Sequence, residues 1–236
     1  MSFQETYQPI PAVQAPEETR AQFVGNVYKH VAGALAAFIA FETLFFVTGI
    51  AGFLEDFFFG GGGARWILML GGVMVVQAFA SNAATDLQNP SRQYLGLFGS
   101  AFAQALIFAP YLSYAFSREN GESTVLQAAV VTGVMFAVLT AIGMFTRKDL
   151  SFLRPIVMWG FGIAFVAILG ATILNFNLGL WFSLAMIALA GASILFQTQN
   201  IVRRYPIGSH VAASIAVFSS LMTMFWYVLR IFLSRD

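Results

Sequence analysis

Seven apolar runs, each long enough to cross a bilayer, dictate what this chain folds into. They lie at about 27–53, 66–85, 94–116, 125–145, 152–174, 179–199 and 210–233, and roughly 20 apolar residues span the hydrocarbon core as a helix. In that core no water is available to the backbone, so such runs satisfy their own N–H and C=O groups by becoming helical. The links are short and carry turn residues, Asn89-Pro90, Asn120-Gly121 and Pro206-Ile207-Gly208, leaving no soluble domain to do chemistry outside the membrane. The expected fold is an all-α membrane protein, a seven-transmembrane-helix bundle over residues 26–236. Residues 1–25, with Pro9, Pro11, Pro16, Glu17 and Glu18, read as a flexible cytoplasmic tail. No basic segment there leads into a cleavable apolar stretch, so a signal peptide is not expected.

Composition agrees with a lipid setting. The chain is 58% hydrophobic and 10% charged, with 26 Phe in 236 residues and a mean hydropathy of +0.76, more than a water-facing surface of this size accommodates. A formal charge of +1 gives nucleic acid no electrostatic foothold. With no Cys, disulfides, thiol chemistry and Cys-ligated metals are excluded. There is no His-Glu-x-x-His and no cluster of carboxylates, so no metal site, no cofactor and no catalytic residue is expected.

The last run has a polar seam. Ala212, Ala216, Ser220, Thr223, Tyr227 and Arg230 recur at steps of three and four, while Ile215, Phe218, Leu221, Phe225 and Val228 cover the other faces. Small residues and hydroxyls are hidden from lipid by neighbouring helices, so this helix is expected at the centre of the bundle. Its seam is the expected functional surface. Small residues one turn apart, Gly33 with Ala37, Gly133 with Ala137, and Gly160 with Ala164, read as further packing seams.

Lys and Arg set the orientation. Arg20, Lys29, Arg92, Arg147, Lys148, Arg154, Arg203 and Arg204 fall on the tail side, against Arg65, Arg118, Arg230 and Arg235 opposite. The bias places the N-terminus in the cytoplasm and, with seven spans, the C-terminus outside. A re-entrant last helix would return the C-terminus to the cytoplasm.

Within the spans one acid stands out. Glu42 lies about two-thirds along the first, where a carboxylate marks a candidate cation or proton site or, more plainly, a protonated group bonded to a neighbouring helix; Gln77 and Gln104 are candidate neighbours. His30 and His210 open the first and last spans at the interface, each a candidate pH sensor or a solvated side chain. Gly60-Gly61-Gly62-Gly63 has no following Lys-Ser/Thr and reads as an outer hinge, not a phosphate loop. Ser100 with His210 as base is the nearest approach to a nucleophile pair, and membrane serines ordinarily bond to neighbouring backbone.

The fourth loop, Thr146-Arg147-Lys148-Asp149-Leu150-Ser151-Phe152-Leu153, is a basic edge with Asp149 or Ser151 as a helix cap. Together with ILFQTQNIV and SLMTMFWYVLRIF it resembles the transmembrane Bax-inhibitor-motif family in its bacterial, YccA-like branch. That resemblance implies a seven-helix bundle with the last helix surrounded by the other six, a pH-sensitive calcium leak and protection against stress. It also implies residence in the bacterial cytoplasmic (inner) membrane. The family's acidic, proton-sensing pair on its sixth and seventh helices matches Gln197 and Ser220 here, neither of which titrates near neutral pH. An amide-to-hydroxyl hydrogen bond would latch the helices instead. Glu42, Gln197, Ser220 and Thr223 are thus the candidate ion pathway or latch, with calcium or protons as the ions. The alternative is a non-conducting regulator of a membrane protein partner, such as a protease, acting through Arg147, Lys148, Asp149, Arg203 and Arg204.

Overall fold

A computed structural model describes residues 10–60 and 63–234. Residues 1–9 of the expected tail, Gly61 and Gly62 of the glycine run, and Arg235 lie outside them. Eight α-helices are found among the described residues: α1 (Glu17–Val47), α2 (Ile50–Phe59), α3 (Gly63–Ala84), α4 (Pro90–Phe116), α5 (Gly121–Phe145), α6 (Leu153–Leu174), α7 (Gly179–Arg203) and α8 (His210–Leu233). All but α2 are long and apolar enough to cross a membrane.

The first span differs from expectation at both ends. It starts ten residues earlier, because Pro16 precedes it and Glu17 and Glu18 occupy its first turn, where a pre-set φ and carboxylates favour a helix N-terminus. It stops at Val47, before Gly49 takes a left-handed φ of 78°, a conformation only glycine adopts freely. The chain then turns into α2, whose Phe53 is 66% exposed, as suits an interfacial helix. Residues 10–15 of the expected tail dock on the α7–α8 turn. Ala12 is fully buried, its N–H donates to the Tyr205 carbonyl at 2.9 Å, and Ile207 N–H donates to the Ile10 carbonyl at 3.0 Å.

The seven spans alternate in direction. Residues 10–16, residues 85–89, the α5–α6 loop and the α7–α8 turn share one face, the tail face; α2 and the last turn of α8 lie at the other. At its centre stands α8, with two-thirds of its apolar window buried against 11% for α6. It packs on α1, α3, α4, α5 and α7. The sixth neighbour does not close in: no α6 Cα comes within 8 Å of an α8 Cα, and α6 rests on α7 and α3. The last helix is surrounded as the resemblance implied, with α6 completing the ring across a gap, and the space left between α6 and α8 is where the candidate site forms.

Close helix contacts occur at particular glycines. A Cβ at Gly96 of α4 would lie 2.4 Å from the Ala80 carbonyl oxygen of α3, and one at Gly160 of α6 would lie 2.6 Å from Leu189 of α7. Gly33 and Gly133 have nothing within 4 Å of that position, so of the expected small-residue seams Gly160 marks a tight approach and those two do not. In the far half of the bundle α4 and α8 meet through aromatic rings. Phe108 stacks on Phe225 at 5.3 Å and meets Trp226 edge-on at 5.2 Å, while Trp226 stacks on Tyr111 at 4.5 Å. Each such pair contributes about 0.5–1.5 kcal/mol beyond area burial.

Candidate functional site: a polar vestibule beside the central helix

Between α3, α6, α7 and α8 lies a cavity of about 530 Å³, reaching the tail face at Thr85 and Tyr205. The first half of the α8 seam forms one wall, with Ala212, Ala216, Ser219, Ser220 and Thr223. Spacing of three and four keeps these on one face. From α3 come Gln77 and Ser81, with Thr85 just past its end, from α7 Ser193 and Gln197, and the apolar Val157 and Phe161 of α6 and Ile215 of α8 complete the lining. Tyr205 stands at the mouth, where burial raises its phenol above the ordinary value and keeps it neutral. No lining residue bears a charge.

At the inner end is a closed hydrogen-bond network. Gln197 Nε2 donates to Ser193 Oγ and to Ser220 Oγ, both at 2.9 Å, and the two hydroxyls are 2.9 Å apart. Ser220 Oγ also donates to the Ala216 carbonyl at 3.2 Å. Each hydroxyl has one proton. If that of Ser220 goes to Ala216, then Ser193 donates to Ser220 and every N–H and O–H of the network is used. What remains is Gln197 Oε1, a buried acceptor with no partner. Beside this network, Gln77 Nε2 donates to Ser219 Oγ at 3.1 Å and its Oε1 accepts from Ser100 Oγ at 3.0 Å. Thr223 lines the wall and donates to the Ser219 carbonyl at 2.8 Å.

The structure therefore brings Gln197, Ser220 and Thr223 to one cavity, and Glu42 is not among its lining residues. Glu42 is 6% exposed on α1, and neither carboxyl oxygen has a hydrogen-bond partner. Gln77, a candidate neighbour, is engaged by Ser100 and Ser219. Ser100 and His210 are not paired: the hydroxyl goes to Gln77, and the His210 ring packs on His30 with centroids 4.7 Å apart. His30 in turn bonds the Asn26 carbonyl at 2.7 Å and Tyr94 Oη at 3.1 Å.

The basic residues form a second constellation, on the tail face. Gln199 Oε1 accepts from Leu150 N–H and its Nε2 donates to the Lys148 carbonyl, both at 2.7 Å. Arg203 donates to the Thr146 and Arg147 carbonyls at 3.3 and 3.1 Å. Arg204 reaches Ser151 and lies 3.8 Å from Asp149. Hydrogen bonds from Ser151, and then the nearby Arg204 and Arg203, hold the Asp149 carboxyl below its ordinary value. Arg147 and Lys148 contribute backbone to this clip and leave their side chains exposed.

Ser193 and Gln199 were not singled out by sequence, although both were signalled. Ser193 is one turn before Gln197 and so on its face. Gln199 is two residues after it, on the opposite side of the helix, so the pair was bound to serve two different partners.

Seven apolar spans around a largely enclosed last helix, with a cavity of mixed polar and apolar lining beside it, define an integral membrane protein. The family described as "Inhibitor of apoptosis-promoting Bax1" matches residues 20–236. The chain belongs to this Bax inhibitor-1 family. It is similar to Protein LIFEGUARD 4 of Arabidopsis thaliana, 29% identical over 236 residues, covering 96% of this chain and 90% of the relative. An uncharacterized protein of Neisseria meningitidis serogroup A is 27% identical over 183 residues, 76% of this chain and 78% of that one. An uncharacterized membrane protein of Vibrio cholerae is 29% identical over 143 residues, 58% of this chain and 59% of the relative.

Proposed function

We propose that the chain is a cation leak pathway, with the vestibule as its tail-side mouth and the Ser193–Gln197–Ser220 network as its closed gate. One observation carries this: a cavity of about 530 Å³ brings the hydroxyls and carboxamides of Gln77, Ser81, Ser193, Gln197, Ser220 and Thr223 together along one side of an otherwise apolar lining that includes Val157, Phe161 and Ile215, with no charged side chain. Such oxygens replace part of a cation's hydration shell without holding it as tightly as a carboxylate would. Calcium is the ion favoured by membership of the family. The positive-charge bias supports a mouth that opens to the cytoplasm of a bacterial inner membrane. A slow leak that limits calcium accumulation is the form a stress-protective role would take.

Because an amide and two hydroxyls do not titrate near neutral pH, the gate is not itself a proton switch. Glu42, buried and unpartnered, is the acid through which protons would act. The test is calcium flux into proteoliposomes across about pH 5 to 8, the range in which physiological switches titrate. Wild type should exceed empty liposomes, Gln197→Ala and Ser220→Ala should raise the flux several-fold at unchanged insertion, and Glu42→Gln should flatten any pH response. No flux above empty liposomes from wild type or gate variants at any pH would sink the proposal.

A further inference from the structure

We infer that the α5–α6 loop is a pre-formed site for the phosphate of an anionic phospholipid, and this stands whether or not ions cross the bundle. The loop joins the ends of two apolar spans, so it lies at the membrane edge. Phe145, 83% exposed, and Phe152, 60% exposed, bracket it, placed where aromatic rings settle between acyl chains and headgroups. Between and just after them, Arg147, Lys148 and Arg154 are exposed, and among the described residues none of the three forms an ion pair.

The clip from α7 explains why these cations stay unneutralised. The loop's one carboxylate, Asp149, faces Arg204 and Ser151. The carbonyls of Thr146, Arg147 and Lys148 are taken by Arg203 and Gln199. Loop and clip together carry five cations against one carboxylate, a net of four positive charges. The loop backbone is thus held in place from α7 before any ligand arrives, with the Arg147 and Lys148 side chains left outside the clip. A phosphodiester at the bilayer surface supplies the missing charge, and its acyl chains supply the partner for Phe145 and Phe152. A soluble anion would match the cations and leave both rings without a partner.

Native mass spectrometry of the full chain in detergent, titrated in parallel with phosphatidylglycerol, phosphatidylcholine, diacylglycerol and inorganic phosphate, tests this. Phosphatidylglycerol alone should be retained. Retention should fall roughly fivefold for each charge removed in Arg147→Gln, Lys148→Gln and Arg154→Gln, the equivalent of about 1 kcal/mol per cation near an anionic surface. Gln199→Ala, which frees the loop without removing a charge, should weaken retention by less than the triple variant. Neutralising Arg20 and Lys29 on α1 should leave it unchanged and, with thermal unfolding, controls for folding. Equal retention of phosphatidylcholine, or a triple variant that holds phosphatidylglycerol like wild type, overturns the inference. So does phosphate binding without lipid preference, which would make the loop a free-anion site. A protein that co-purifies through these cations with no lipid preference overturns it equally.

Discussion

Gln199 grips Leu150 across the α5–α6 loop: its Oε1 accepts the Leu150 N–H at 2.7 Å while its Nε2 donates to the Lys148 carbonyl at 2.7 Å. One carboxamide thereby satisfies a donor and an acceptor of a loop that has no regular structure to do so. Leaving such groups unsatisfied costs about 1–3 kcal/mol each when they are buried. Gln199→Ala should lower the melting temperature and speed amide exchange at residues 148–152, with α8 amides unaffected. Gln199→Glu keeps the acceptor but turns its second oxygen against the Lys148 carbonyl, so it should rescue only part of the loss.

The α7–α8 network is predicted to act as a unit. Ser193→Ala and Ser220→Ala each remove one acceptor from Gln197 Nε2 and one side of the hydroxyl pair. Groups sharing a network couple by about 0.5–3 kcal/mol. The double variant should therefore be less destabilised in thermal unfolding than the two single losses added together. Additive losses would mean that the three side chains do not form one network.

Gly96 should tolerate nothing larger. Its Cβ would meet the Ala80 carbonyl oxygen at 2.4 Å, with Ala84 N at 3.0 Å. These are backbone atoms of a packed helix and cannot rotate away. Overpacking of this kind costs about 1–3 kcal/mol, so Gly96→Ala should lower the melting temperature and Gly96→Val should lower it further or prevent folding. Gly33→Ala, facing open space, is the control that should be close to neutral.

The loop clip should be insensitive to pH over the range in which flux is measured. Asp149 is held below its ordinary value by Ser151 first and then by Arg204 and Arg203. A depressed carboxyl contributes at neutral pH, and its contribution is lost as pH falls through the folded value. Exchange at the Ser151 amide, which donates to Asp149 at 3.0 Å, should thus stay slow from about pH 8 to 5. Protection, corrected for the intrinsic exchange rate, should fall only below the ordinary Asp value of about 3.9.

The spans were legible because hydropathy is local. Each helix satisfies its own backbone, so its existence depends on the residues within it, and the step of three and four in α8 announced its polar seam before any neighbour was known. Boundaries were less secure where polar and helical coincide. Residues 17–26 look like tail by hydropathy, yet Pro16, Glu17 and Glu18 are a helix start that the apolar run concealed.

The sequence by itself determined the number of spans and the enclosure of the last one, while the family resemblance pointed to Gln197 and Ser220 as neutral latch candidates. Tertiary structure decided that α6 stands away from α8 and leaves a cavity there, that Glu42 lies outside it, and that residues 10–15 dock on the α7–α8 turn. It also decided that Gln199 holds a loop 49 residues away in the chain. The physical reason is one of range. Helix formation and facing are fixed by residues within a turn or two, whereas a cavity or a clip exists only through the distance between elements, which no single segment encodes.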